Sequence, residues 1–273
     1  MQSKGQNQDH LRNEQYKSSV NLSARAQLHQ RFTTNPYGWF KWVFDQFEAP
    51  PNATLVELGA GPGWLWKENA DRIPPGWTIT LSDLSAGMVA EQRQNLTNVR
   101  HPFSFEVIDA QSIPYEDASL DLVIANHMLY HVPDLPKALA EIARVLKPTG
   151  KLYAATNGTR HMIELEDLVR NYSPTHEGLI DKLAFTLEKG TSDLALFFDD
   201  ITVQRYEDAL EVTEVEPLIA YVLSTVRLRT DGIDSQPDEF SAYMRREFRK
   251  TNTFHITKNI GLFTAKPRTK NKS

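Results

Sequence analysis

Between residues 54 and 156 the chain alternates short, largely apolar runs with stretches whose apolar residues recur every three or four positions. The runs are TLVELGA, WTITLSD, FSFEVID, LDLVIAN and GKLYAATN, each followed by a turn signal or a helical pattern, and they predict five strands. Strands with such largely apolar cores are covered by helices on both faces, so a parallel sheet built from βα units is the economical reading. The best-marked helix lies between the fourth and fifth runs. There Leu135, Leu139, Ile142, Val145 and Leu146 share one face of DLPKALAEIARVLKPTG. Asp134 and Pro136 suit its start, and Lys147, Pro148 and Gly150 form its stop signal. A shorter helix, around Trp64 to Arg72, is ended by PPG at 74–76.

On either side of this core the pattern changes. Residues 9–47 read as helical and rich in aromatics, and residues 160–198 as two helices. The final third predicts a strand near 201–207, helices near 214–225 and 237–250, and a last strand, FHITKNIGLFTAK. No repeat, low-complexity tract or clear linker interrupts the chain. The expectation is therefore one domain: a helical cap over 1–48, a core over 50–157, a helical insertion or lid over 160–198, and the rest of the sheet over 200–266.

Composition narrows the function class. At 273 residues with 40% hydrophobic and 10% aromatic residues the chain has the make-up of a soluble globular protein. No apolar run approaches the roughly 20 residues of a membrane span, and MQSKGQNQDHLRNEQ lacks the apolar stretch of a signal peptide, so a cytoplasmic location is expected. The absence of cysteine removes disulfides, thiolate nucleophiles and cysteine metal sites. No set of histidines and carboxylates has recognisable metal-ligand spacing, so no metal is expected. A net charge of −5 argues against a nucleic-acid partner, and the basic KPRTKNKS reads as a solvated tail.

The chemistry concentrates at LVELGAGPGW. Gly59, Gly61 and Gly63 stand where a buried strand turns into a helix, at the sheet edge where such folds bind ligands. A tight turn, a dinucleotide site and a site for a different ligand all remain open on spacing alone. The dinucleotide fingerprint G-x-G-x-x-G fails in register, because the bulky Trp64 occupies the position of its third glycine. Glu57, two residues before Gly59, would repel a pyrophosphate and attract an ammonium group. Asp83 closes the second strand, where an acid accepts from both hydroxyls of a ribose, and Asp109 closes the third, within reach of an adenine amino group.

With these residues the sequence resembles the class I S-adenosylmethionine-dependent methyltransferases, small-molecule branch, including the ubiquinone-biosynthesis type. The resemblance runs from about residue 50 to 157. It rests on Glu57 to Gly63, on Asp83, on Asp109-Ala110 with Ile113-Pro114-Tyr115, on Asp121-Leu122-Val123 through His131, and on Leu139 through Gly150, where Thr149 replaces the first of two glycines. It implies a Rossmann-like α/β fold: a seven-stranded, mostly parallel sheet with the last strand antiparallel and helices on both faces. It also implies S-adenosyl-L-methionine as methyl donor, held by Glu57, Gly59, Ala60, Gly61, Gly63, Asp83, Leu84, Met88, Asp109, Ala110, Asn126 and His127, with Tyr16 reaching its carboxylate.

Methyl transfer from a sulfonium is an in-line displacement, and a general base is needed only when the nucleophile carries a proton. His131 and, from the cap, His29 are the base candidates, since an imidazole titrates near neutral pH. The aromatics of 32–44 and the insertion 160–198, with LALFF at 194–198, are expected to wall a partly apolar pocket for a small-molecule acceptor. A nicotinamide oxidoreductase and a non-catalytic donor-binding regulator are the alternatives.

Overall fold

The computed structural model describes residues 20–174, 183–224, 233 and 236–268. Two cap helices, α1 (Val20–Phe32) and α2 (Trp39–Asp45), precede β1 (Thr54–Glu57), the short helix α3 (Trp64–Glu68), β2 (Thr78–Asp83), α4 (Ala86–Asn95), β3 (Phe103–Val107) and β4 (Leu120–Asn126). Then come α5 (Leu135–Val145), β5 (Leu146–Asn157), α6 (Ile163–Tyr172), α7 (Gly190–Leu194), β6 (Phe198–Tyr206) and β7 (Ala209–Val212). The chain closes with α8 (Val215–Leu223), α9 (Pro237–Thr251), β8 (Phe254–Thr257) and β9 (Ile260–Pro267).

Seven strands form one sheet in the order β3-β2-β1-β4-β5-β9-β6. The last strand in the chain, β9, runs antiparallel to both its neighbours, and the other pairings are parallel, so the predicted fold class stands. Strand order reverses between β1 and β4, which opens a crevice at their carboxyl ends. The register aligns Glu57 with Leu81 and with Ile124, so the edge of this crevice is made of the residues that follow: the glycine loop, Asp83 and Asn126.

Helix α5 forms where its sequence predicts. The Asp134 carboxylate accepts the Lys137 backbone N–H at 3.0 Å as an N-cap, and Pro136 fits the first turn, where no N–H is required. Its buried face, Leu135, Ala138, Leu139, Ile142 and Val145, packs with Val123, Leu152 and Ala154 on one side of the sheet. On the other side Trp66, Leu81, Ile124 and Tyr153 pack with Val43 and Phe44 of α2.

A third apolar cluster was not foreseen from the sequence. Leu28 and Phe32 of α1, Leu165 and Val169 of α6, Leu218 and Val222 of α8 and Phe240 and Met244 of α9 close over a two-stranded ribbon, β7 paired with β8. FHITKNIGLFTAK is accordingly not one strand. Ile256 is buried in the ribbon and Ile260 in the main sheet, and the polar pair Lys258-Asn259 between them is where the chain passes from one to the other. The expected pocket wall LALFF also needs correction. Leu194 and Phe198 pack beside Phe185 and Phe263 in the sheet core, while Leu196 is 62% exposed, because this segment docks the edge strand β6. No helix among the described residues is long and apolar enough to cross a membrane.

Candidate functional site

The glycine loop follows β1 directly. Gly59, Gly61 and Gly63 take φ of 65°, 53° and 80°, the left-handed region that costs a side chain about 1–2 kcal/mol. Gly59 is also constrained from above, since a Cβ there would lie 2.7 Å from the Cβ of Met128. At Gly61 the same atom would meet only Leu22 of α1, at 3.6 Å, leaving an open cradle beneath the cap. Helix α4 holds the loop from below: the Gln92 amide donates to the Gly61 carbonyl at 2.9 Å and the Asn95 amide to the Pro62 carbonyl at 3.0 Å.

The predicted acids converge on this loop. One Asp83 oxygen accepts the Gly61 N–H at 3.1 Å and the other the Ser85 N–H at 2.9 Å. Burial raises the Asp83 pKa, and the backbone donors oppose that shift. Glu57 is 2% exposed, with one oxygen accepting the Trp66 indole N–H at 2.6 Å and the other the Asn126 amide at 3.2 Å. Burial pushes the Glu57 carboxyl up to about 7; its two hydrogen bonds oppose this and the charge of Asp83 adds to it. The amide oxygen of Asn126 is buried without a protein partner, a polar atom aimed at the same space. Asp109 is ordered by the Gln111 backbone N–H at 2.9 Å, next to the buried Ala110. Met88 is buried, and Leu84 lies between Asp83 and the Ser85 cap of α4.

A second group of side chains surrounds the space above the ends of β4, β5 and β6. His127 has φ of 52°, an uncommon conformation for a side-chain-bearing residue, and packs against the Trp39 ring at 5.3 Å between centroids. His29 stacks on His161 at 6.2 Å and meets Tyr221 of α8 edge-on at 5.8 Å. The Asn259 N–H donates to His161 Nδ1 at 3.3 Å, which leaves the proton of the neutral ring on Nε2. Lys258 forms a buried ion pair with Asp208 and lies 5.8 Å from the centre of the Tyr206 ring. Burial, then the Lys258 charge, lowers His127 to about 4 and His29 to about 3, and burial takes His161 well below its ordinary value. Burial raises Tyr206 to about 12, with the Asp208 charge contributing.

The structure thus brings together Glu57, the glycine loop, Asp83 and Asn126, and sets Met128 over Gly59. His131 stands on the turn after β4, its ring 4.5 Å from that of Tyr130 and close enough to His127 to affect its titration. His29 belongs to the second cluster with His127, while Tyr16 lies outside the described residues. The sequence reading missed Trp66, His161, Asp208 and Lys258. For His161 a signal existed: it follows the fifth strand, at the edge where ligands bind. For Trp66, Asp208 and Lys258 none did, because their partners are brought to them by tertiary folding.

Comparison with known proteins agrees with this geometry. Residues 56–154 match the family model described as Methyltransferase domain. Over 116 residues the chain is 32% identical to the ubiquinone/menaquinone biosynthesis C-methyltransferase UbiE of Hydrogenovibrio crunogenus, covering 42% of this chain and 46% of that one. It is 33% identical over 112 residues to the malonyl-[acyl-carrier protein] O-methyltransferase of Hahella chejuensis, covering 41% and 39%. The match therefore spans less than half the length of either relative. The fold is shared with Haemonchus contortus phosphoethanolamine N-methyltransferase 2, solved in complex with S-adenosyl-L-methionine, at a TM-score of 0.59 and 21% identity over 96% of this chain and 60% of that one.

Proposed function

Because residues 56–154 form a class I S-adenosylmethionine-dependent methyltransferase domain, we propose that the chain transfers a methyl group from S-adenosylmethionine to a small, partly apolar molecule. The observation that carries this reading is the Gly61–Asp83 hydrogen bond, which joins three left-handed glycines to a carboxylate at the next strand end. The residues fit the donor. The cradle at Gly61 is open to it, and the orphaned amide oxygen of Asn126 offers it a hydrogen bond.

In this reading Glu57 takes the donor's ammonium group, and Trp66 and Asn126 fix the carboxylate for it. Asp83 receives the ribose hydroxyls, and Asp109, Ala110, Leu84 and Met88 surround the adenine. Tyr16 serves the donor carboxylate. The donor supplies a methyl group bonded to a sulfonium, an electrophile that needs alignment more than activation. His127 and Met128 line the methyl-bearing end, and α1 covers the glycine loop and excludes water. Where the acceptor atom carries a proton, His131 removes it. We assign His29 to holding the acceptor, since an imidazole lowered to about 3 is a weak base at neutral pH.

Calorimetry with S-adenosylmethionine, S-adenosylhomocysteine and NAD(H) tests the reading, followed by transfer of labelled methyl across a metabolite panel. Binding of the first two and not the third is expected. Absence of binding by the first two defeats the proposal, and binding without transfer favours a regulatory role.

A further inference from the structure

The cleft beside the proposed donor site is lined by an unusual set of groups. Trp39 Nε1–H and His29 Nδ1 are both buried with no hydrogen-bond partner in the protein. Trp39 is a donor only, and leaving such groups unpaired costs about 1–3 kcal/mol each, a cost that an incoming polar ligand removes. His161, with Nδ1 occupied by the Asn259 N–H, adds an Nε2–H donor. These side chains come from α1, α2 and the loop after β5, and they share one locality: Trp39 touches His127, and His29 touches His161.

The charges around them are unbalanced. Lys258 is the leading charge on His127 and the leading charge on His29, ahead of Asp208, and Arg25, one turn before His29 on α1, acts in the same direction. Asp208 is engaged elsewhere, accepting from the Thr33 hydroxyl at 2.7 Å, from the backbone N–H groups of Thr34 and Asn35 at 3.0 Å each, and from Lys258. An ammonium ion entering this cleft would meet donors and positive charge, in addition to the sulfonium. An oxygen anion would meet donors and the same positive charge with the opposite sign of energy.

We propose, on the premise of the methyl-donor reading above, that this cleft binds the acceptor through an ionisable oxygen, as in a phenol, an enol or a carboxylic acid, and rejects amines. Trp39 and His29 are the specificity-determining residues. His127 and His161 remain neutral beside the donor, and Lys258 supplies the field that favours the oxygen in its anionic form.

The test uses the full chain saturated with S-adenosylhomocysteine and three probes of similar size, benzoate, 4-methylphenol and benzylamine, followed by calorimetry and by the side-chain resonances of the histidines. Benzoate and 4-methylphenol should bind at least tenfold more tightly than benzylamine and shift the His29 and His161 signals. Trp39→Phe and His29→Phe should each reduce that preference severalfold, with S-adenosylhomocysteine affinity preserved. Equal or tighter binding of benzylamine overturns the proposal. So does an undiminished preference in both variants, or binding by none of the probes while S-adenosylhomocysteine binds normally. Failure of S-adenosylhomocysteine itself to bind strikes the donor reading instead.

Discussion

Glu57 makes donor affinity depend on pH in a way that can be worked out in advance. Its carboxyl stands at about 7 because it is buried, with only the Trp66 indole and the Asn126 amide to stabilise the charged form. An ammonium group pairs with the carboxylate and not with the acid, so binding expels the proton. At pH 8 about nine in ten carboxyls are ionised and at pH 6 about one in ten, so affinity at pH 6 should be about tenfold weaker, near 1.4 kcal/mol. Calorimetry with S-adenosylhomocysteine from pH 6 to 8, in buffers of different ionisation enthalpy, reads both the affinity and the proton released. Glu57→Gln should bind more weakly and lose this slope. Trp66→Phe, which removes one bond to the carboxylate, should move the midpoint upward. A flat affinity in the native chain refutes the linkage, and an equal slope in Glu57→Gln assigns it to the ligand's own amine.

Further outcomes follow from the same geometry. Asp83→Ala should weaken S-adenosylhomocysteine binding by about ten- to a hundredfold, the scale of hydrogen bonds to a charged group, and unchanged affinity removes the ribose assignment. Gly59→Ala forces a left-handed alanine against Met128 and should cost about 2–4 kcal/mol in denaturant unfolding, with loss of donor binding; a stability within 0.5 kcal/mol of native, taken as roughly the scatter of neutral surface changes, contradicts the close approach of Met128 to the loop. The buried imidazoles predict acid sensitivity. Their folded pKa values lie below 6.5, so the unfolded chain binds more protons between about 3 and 6.5, and stability is constant above that window and falls as pH drops through it. At pH 5 the loss is about 2 kcal/mol for His29 alone. His29→Phe should therefore flatten the decline in Tm between pH 7 and 5, and an unchanged decline defeats the assignment.

The donor side of this site was legible in sequence because its residues are fixed by local rules. Gly59, Gly61 and Gly63 mark a loop that only glycine forms at low cost, and Glu57, Asp83 and Asn126 fall at strand ends whose apolar runs are visible. The helix from Leu135 to Val145 was equally clear, since its cap, proline and stripe agree. The second cluster obeys no such rule. His29, His161 and Lys258 are separated by long stretches of chain and meet only because β7, β8 and four helices build a core of their own. Nothing in the alternation of FHITKNIGLFTAK announces that Lys258-Asn259 leaves one sheet for another, and the apolar LALFF looks the same whether it walls a pocket or docks an edge strand.

The main sheet and the ribbon are linked at two crossovers, residues 207–208 between β6 and β7 and residues 258–259 between β8 and β9. The Lys258–Asp208 pair ties one crossover to the other. The two passages together form an axle, and the helices packed on the ribbon form the lever that turns on it. Swinging that lever would carry His29 away from His161, yet leave Lys258 almost where it stands. The charge of the cleft thus belongs to the pivot, and its hydrogen-bond donors are divided between the moving arm and the fixed frame.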